Sequence, residues 1–166
     1  MPFIFKPIDE ASIYKFVAWR YDPPYDIYNL ENPPTEEGIQ YFLDPQNTYH
    51  SIIDEPGNLL AFCSFGSDGQ VPGGDYSADA LDLGLGVRPD LTGQGNGSLF
   101  VNAVIGFACN TFAPTALRVT VAEFNQRAWR VWEKAGFRRV QIFQRNDDHR
   151  TYVVLKRELE IVQADL

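Results

Sequence analysis

The stretch of sequence that decides the fold is ALDLGLGVRPDLTGQGNGSLFVNAVIGFACNTF, residues 80–112. It predicts a strand over residues 80–87, a Gly-rich turn over 90–97 and a long apolar helix over 98–112. Free backbone N–H groups point outward at the start of a helix, and the helix dipole favours negative charge there. Glycines also let the backbone fold into a concave nest. The stretch therefore predicts a site for a phosphorylated ligand.

Length and charge narrow the class of protein. The 166 residues suit a single domain spanning 1–166. The formal net charge of −8 argues against nucleic acid as the main partner, because phosphate backbones need a basic surface. The N-terminal residues lack a signal-peptide pattern, and no stretch approaches the roughly 18 apolar residues that span a membrane. We therefore expect a cytoplasmic protein without a membrane partner.

Cysteines and histidines give no sign of a metal or disulfide framework. Cys63 and Cys109 lie in separate apolar runs and predict buried free thiols. His50 and His149 are isolated, and the usual metal-ligand spacings are absent, so we expect no catalytic metal.

Hydrophobic periodicity and turn signals predict the element order βααβββαβαββ. In its second half, a strand over 117–122 precedes a helix that Asn125 caps and Ala135 ends. A polar, Gly-rich segment over 67–79 predicts a mobile loop. The order predicts an α/β (α+β) fold in which four helices flank a mixed, mostly antiparallel central sheet of about seven strands.

Two familiar phosphate motifs do not fit the turn. A nucleotide-binding loop of the Walker type needs Gly-Lys before Ser or Thr, whereas Gly97 directly precedes Ser98. The dinucleotide fingerprint needs a third glycine where Ser98 stands, and it belongs to consecutive parallel βαβ units that this chain lacks.

A third motif fits better. Residues 87–89 (VRP) and 92–99 (TGQGNGSL) resemble the acetyl-CoA loop of the GCN5-related N-acetyltransferases (GNAT), whose pattern is Arg/Gln-x-x-Gly-x-Gly/Ala. Residues 121–128 (VAEFNQRA) and 131–137 (VWEKAGF) are similar to that family's second signature segment, in which an Asn, an Ala three residues later and a Glu-Lys-x-Gly-Phe helix end occur together. The resemblance covers about residues 49–155.

The resemblance implies an acetyl-CoA-dependent N-acetyltransferase whose fourth and fifth strands splay apart to admit the cofactor. Its acceptor would be a primary amine of a small molecule or peptide, and the acidic charge is compatible with a cationic one. The backbone of the fourth strand would pair with the pantetheine arm, the turn would hold the pyrophosphate, and Asn125 would contact the arm from the other side. The implied contacts to CoA are Leu85, Val87, Arg88, Thr92, Gly93, Gln94, Gly95, Asn96, Gly97, Ser98 and Asn125.

The sequence departs from the family pattern at two positions. Thr92 stands where the family usually has Arg or Gln, and we expect Arg88 to supply the missing charge. Trp132 stands where a tyrosine commonly protonates the leaving thiolate. An indole N–H donates a hydrogen bond but is no general acid at neutral pH. Either Tyr152 or a tyrosine of the loop over 21–30 therefore substitutes, or the thiolate leaves unaided.

Other catalytic and acceptor-binding roles follow with alternatives left open. The N–H of Val87 is the predicted oxyanion donor. Asp82 is the candidate general base, although a hydrogen-bonded structural role suits it equally well, and Glu123 is the second candidate. The loop over 21–30 contributes the predicted acceptor contacts Asp22, Tyr25, Asp26 and Tyr28. A non-catalytic acyl-CoA-binding or sensor module is the rival class, and a homodimer is an option that the sequence leaves open.

Overall fold

A computed structural model describes residues 3–160 of the chain. One sheet contains its seven strands in the order β1-β2-β3-β4-β5-β7-β6. The strands are β1 (Ile4–Pro7), β2 (His50–Ile53), β3 (Leu59–Phe65), β4 (Leu81–Val87), β5 (Ala116–Ala122), β6 (Arg138–Gln144) and β7 (Thr151–Glu158). The helices are α1 (Glu10–Val17), α2 (Glu36–Leu43), α3 (Gly97–Phe112) and α4 (Gln126–Lys134). All neighbouring strands are antiparallel except β4 and β5. The predicted architecture is confirmed.

Side-chain caps fix where three of the helices begin. Asp9 accepts a hydrogen bond from the Ser12 N–H at the start of α1, and Thr35 accepts one from Gly38 at the start of α2. Asn125 does the same for the Ala128 N–H at the start of α4. Such caps satisfy N–H groups that have no partner within the helix. At α3 the position before the helix, Asn96, makes no side-chain cap.

Two hydrophobic cores cover the two faces of the sheet. Successive strand residues point to opposite faces, and Cys63 of β3 belongs to one core while the adjacent Phe62 packs against the other. The first core contains α3, α4 and most of the sheet, and the second contains α1 and α2. Helix residues of the first core include Phe100, Val104, Ala108 and Trp132, and those of the second are Ile13, Phe16, Val17 and Ile39.

Strands β4 and β5 are paired only at their beginnings. Their register contains Leu81 opposite Leu117 and Asp82 opposite Arg118, and the strands separate beyond that rung. The last rung carries a buried ion pair with Nε–Oδ1 and Nη2–Oδ2 distances of 2.7 and 2.8 Å. The two side chains are only 5% and 4% exposed. The splay that the family resemblance implies is therefore present, and it begins at this ion pair.

The same ion pair holds the segment over 67–79, which is a difference from the mobile loop expected. Gln70 donates to the Asp82 carboxylate at 2.9 Å, and Arg118 donates to the Ala78 carbonyl at 2.8 Å. The Tyr76 hydroxyl contacts Thr120 of β5 at 2.8 Å. The loop therefore lies against the sheet, where it provides hydrogen-bond partners for buried polar groups of β4 and β5.

Within residues 3–160, the helices are all too short or too polar for a membrane crossing.

Replacing Asp82 by Asn tests this arrangement. The substitution leaves the Arg118 charge buried without its counterion, which typically costs about 3–5 kcal/mol of unfolding free energy. Urea denaturation followed by circular dichroism measures the loss. Glu158→Gln is the matched control, because Glu158 pairs with Lys156 at an exposed position and such pairs contribute about 0–1 kcal/mol. Equal losses in the two variants would contradict a structural role for Asp82.

Candidate functional site

The open edge of β4 faces the gap between the splayed strands. The Arg88 N–H donates to the Leu60 carbonyl, and the Gly66 N–H donates to the Asp82 carbonyl. Because antiparallel hydrogen bonding has a two-residue period, the even-numbered residues of β4 bond to β3. The N–H and C=O groups of Leu83, Leu85 and Val87 therefore point towards β5, which has moved away. This edge is available to an extended ligand.

A cavity of about 930 Å³ occupies the gap and reaches both faces of the sheet. On the α3 and α4 face it is lined by Val101 and Trp132, and on the α1 and α2 face by Phe16 and Phe62. Twelve of the predicted site residues line it: Tyr25, Tyr28, Leu85, Val87, Thr92, Gly93, Gly95, Gly97, Ser98, Asn125, Trp132 and Tyr152.

The turn before α3 presents a row of free backbone donors. Gly93 and Gly95 have φ angles of +72° and +81°, which only glycine adopts readily. The N–H groups of residues 93–98 donate to no acceptor within residues 3–160. Since the Asn96 side chain bonds to the Leu91 carbonyl and does not cap the helix, these donors and the helix dipole are free for an anion.

Arg127, rather than Arg88, supplies positive charge to this turn. The Arg88 guanidinium pairs with Asp90 at 2.6 Å and donates to the Leu59 carbonyl, and it does not line the cavity. This corrects the expectation for Arg88. Arg127 of α4 does line the cavity, and its Nη1 would lie 3.2 Å from a Cβ placed on Gly93. The ring of Tyr25 supports the guanidinium at 4.1 Å.

The segment over 21–30, which we call the tyrosine loop, crosses the mouth of the cavity. Tyr25 and Tyr28 pack against Phe124 with ring centroids 5.8 and 6.3 Å apart. The Asn125 amide donates to the Tyr28 hydroxyl at 3.1 Å. Burial raises the pKa of Tyr28. The loop thus joins the end of α1 to the start of α4 and covers the splayed strands between them.

Tyr21, in the same loop, contacts the open edge directly. Its hydroxyl donates to the Val87 carbonyl at 2.6 Å. Burial raises the pKa of Tyr21 to about 12, so the hydroxyl remains protonated at neutral pH. The acidic residues of the loop behave differently, because Asp22 and Asp26 are exposed and do not line the cavity. The structure therefore offers no support for acceptor contacts at these two positions.

The candidate catalytic residues divide into two groups. Val87, Trp132 and Tyr152 line the cavity, where Trp132 packs edge-on against Phe137 at 5.1 Å. Asp82 does not line it. Both oxygens of the Asp82 carboxylate accept hydrogen bonds from Arg118, and one also accepts from Gln70. This corrects the proposal of Asp82 as general base, because the buried carboxylate is ion-paired with Arg118 and lies outside the cavity lining, where it is not placed to take a substrate proton.

Two further predicted contacts turn away from the cavity. The side chains of Gln94 and Asn96 do not line it, so these two residues would contact a ligand there through their backbone N–H groups. Conversely, sequence reasoning missed Arg127 and the cavity-lining polar residues Asp68 and Gln70. The residue pattern did carry one signal for Arg127, because it lies two residues after Asn125 in the segment already singled out. Within residues 3–160 no three His, Cys, Asp or Glu side chains are grouped to hold a metal ion.

Comparison with known proteins identifies the fold and the family. Residues 13–137 match the model of the acetyltransferase (GNAT) family. The chain belongs to the GNAT acetyltransferase family. The splay between β4 and β5 that the sequence resemblance implied is thus present in a member of this family. A search of the curated proteins gives no match.

Solved structures of acetyltransferases share the fold of this chain at low sequence identity. Spermidine N-acetyltransferase from Vibrio cholerae in complex with CoA and spermine is 13% identical, with a TM-score of 0.71 and coverage of 94% of this chain and 95% of that one. Aminoglycoside acetyltransferase AAC(6')-Ib in complex with coenzyme A is 18% identical, with a TM-score of 0.72 and 95% coverage of both chains. At such identities these likenesses concern the fold and leave the acceptor of this chain open.

Proposed function

We propose that this GNAT protein transfers an acetyl group from acetyl-CoA directly to a primary amine. The observation that carries the proposal is the row of free N–H groups over residues 93–98, which opens into the gap between β4 and β5. Hydrogen bonds to a charged group contribute roughly 1.5–3 kcal/mol each. Several such donors, with the Arg127 guanidinium beside them, suit a pyrophosphate.

The edge of β4 suits the arm that follows the pyrophosphate in CoA. Pantetheine is an extended chain with two amides, and an extended chain can add to a strand edge through main-chain hydrogen bonds. The inward-facing groups of Leu85 and Val87 are the donors and acceptors for this pairing. The Tyr21 hydroxyl satisfies the Val87 carbonyl in the present structure, and it would have to yield or share that acceptor. Asn125 lines the opposite side of the cavity.

The proposed reaction requires few catalytic side chains. The acceptor first loses its ammonium proton to water. The nitrogen of the neutral amine then attacks the thioester carbon, the carbon–sulfur bond breaks, and a second proton passes from the nitrogen to water. Holding amine and thioester together in one cleft can lower the barrier by about 7–11 kcal/mol. The N–H of Val87 faces the cleft and is our choice of oxyanion donor. CoA leaves either as a thiolate, since a free thiol has a pKa of about 8.5, or with a proton from Tyr152.

One feature favours the rival class. Trp132 stands where the family commonly has a tyrosine acid, and its indole cannot protonate a thiolate. A protein that binds acetyl-CoA through the same cleft without transferring the acetyl group is therefore the second candidate, a sensor of acyl-CoA.

A thiol-release assay decides between enzyme and sensor. We expect acetyl-CoA to bind in calorimetry and free CoA thiol to appear when primary amines are added. The amine panel should include an arylalkylamine, a polyamine, an aminoglycoside and a peptide with a free N-terminus. Acetyl-CoA binding without thiol release from any amine supports the sensor and rejects the enzyme. Absence of binding rejects both.

Gly95→Asp tests whether the turn is the pyrophosphate site. The new carboxylate would stand among the free N–H groups and repel the ligand phosphates, so we expect acetyl-CoA affinity to fall by at least about a hundredfold. The matched control is Gly57→Asp in the β2–β3 turn. Gly57 also has a positive φ and open space around it, so the control carries the same backbone strain without touching the turn. Equal affinities in both variants would place the ligand elsewhere.

Arg127→Gln tests the source of the positive charge. Removing the guanidinium beside Gly93 should weaken acetyl-CoA binding about tenfold or more, and the loss should shrink at high salt because charge interactions are screened. Arg88→Gln is the control, because Arg88 is committed to Asp90 and lies outside the cavity lining. Isothermal calorimetry at two salt concentrations measures both variants. A larger effect from Arg88 would reverse the assignment.

A further inference from the structure

Asp68 is the only acidic residue among the described residues that line the cavity. It follows β3 and lies at the end of the cavity away from the Gly-rich turn, on the face covered by α1 and α2. The cationic side chains that line the cavity, Arg127, Lys134 and Arg145, come from α4 and the end of β6. The cavity therefore has separate places for negative and positive ligand groups.

The Asp68 carboxylate is held in a fixed position by three hydroxyl groups. Tyr41 of α2 donates to one oxygen, and Tyr49 and Ser64 donate to the other at 2.6 and 3.1 Å. Burial and Asp68 itself raise the pKa of Tyr41 to about 12 and that of Tyr49 still further, so both hydroxyls remain donors at neutral pH. A carboxylate has about four acceptor positions, which leaves it able to accept from a ligand.

The carboxylate lies close to the strand on which the arm of CoA would lie. Ser64 pairs with Gly84 across β3 and β4, and its Oγ would be 2.5 Å from a Cβ placed on Gly84. The absence of a side chain on Gly84 is what lets the Ser64 hydroxyl, and through it Asp68, sit against the middle of β4. A ligand cation bound to Asp68 would thus be near the splayed edge.

Apolar side chains contribute much of the remaining lining of the cavity. Phe16, Ile27, Leu30 and Phe62 are among the lining residues, and Phe16 stacks on Phe62 with ring centroids 4.2 Å apart. A polyamine needs several carboxylates spaced along its length, whereas the described lining offers one. The surroundings suit a ligand with one positive charge and an apolar or aromatic body.

We propose that Asp68 binds the ammonium group of the acceptor and that the acceptor is a monocationic primary amine with an apolar body. This inference rests on the proposed acetyltransferase function and names its substrate class. It assigns acceptor recognition to a residue on the β3–β4 segment rather than to the exposed Asp22 and Asp26 of the tyrosine loop.

The test uses 2-phenylethylamine as the acceptor probe, 2-phenylethanol as its uncharged analogue and spermidine as the polycationic alternative. Asp68→Asn keeps the size of the side chain and removes its charge. We expect its KM for 2-phenylethylamine to rise about ten- to a hundredfold, with inhibition by 2-phenylethanol and the Kd for acetyl-CoA within about twofold of wild type. Unchanged acetyl-CoA binding also shows that the variant is folded.

Two further variants complete the design. Glu37→Gln removes the same charge from an exposed position on α2 and should leave KM unchanged. Tyr49→Phe keeps the Asp68 charge but removes one of the bonds that hold it, and should raise KM by a smaller factor. Tyr49→Phe also provides the measurement if Asp68→Asn does not fold.

The possible outcomes separate the two proposals. Thiol release with the same KM in wild type and Asp68→Asn overturns the role of Asp68 while the acetyltransferase function stands. A higher kcat/KM for spermidine than for 2-phenylethylamine overturns the substrate class. Wild-type protein that binds acetyl-CoA but acetylates no amine overturns the proposed function, and this inference with it.

Discussion

The buried ion pair between Asp82 and Arg118 is the interaction on which the working part of the molecule depends. It forms the last rung between β4 and β5, so the two strands are held together up to this point and separate after it. Burying two charges is costly, and a pair offsets that cost only with good geometry and further hydrogen bonds. Here Gln70 and the Ala78 carbonyl provide those bonds. Gln70 and Ala78 both belong to the segment between β3 and β4. The ion pair therefore fixes the point at which the gap begins and also holds in place the segment that forms one wall of the gap.

A gap that crosses the sheet would give the two proposed substrates different approaches. The free N–H groups and Arg127 lie where β4 runs into α3, whereas Asp68 and the apolar walls lie on the face covered by α1 and α2. A ligand with a pyrophosphate and a ligand with an ammonium group are therefore attracted to different ends of one cavity. The thioester at the far end of the CoA arm and the nitrogen of the acceptor would then meet along β4. This separation of charge follows from which elements supply each residue, and a net charge of −8 for the whole chain does not reveal it.

The features that the sequence predicts correctly are those determined by residues close together in the chain. Alternation along β4, the glycines before α3 and the cap at Asn125 each depend on residues a few positions apart, and the element order and fold followed from them. The features that sequence reasoning missed depend mainly on which distant residues the pairing of the strands brings together. The partner of Asp82 is 36 residues away, and only the parallel pairing of β4 with β5 brings the two together. The Asp68 carboxylate is held at the cavity by hydroxyl groups that donate to it from α2, from β3 and from the segment before β2. Arg88 was misassigned although its carboxylate partner, Asp90, is only two residues along the chain.

The Tyr21 hydroxyl is poorly suited to donate a proton to the leaving thiolate. Tyr21 reaches the open edge of β4, yet burial raises its pKa to about 12, above that of a free thiol, which disfavours transfer of its proton to a CoA thiolate. Its hydroxyl is also engaged by the Val87 carbonyl. With Trp132 unable to act as an acid, the proposed chemistry would depend on positioning and on backbone N–H groups, and the thiolate would either take a proton from Tyr152 or leave unaided. A thioester tolerates unaided departure because a thiolate, whose conjugate thiol has a pKa of about 8.5, is a good leaving group. The replacement of the usual tyrosine by tryptophan is therefore compatible with catalysis, provided that the splayed strands hold the amine against the thioester.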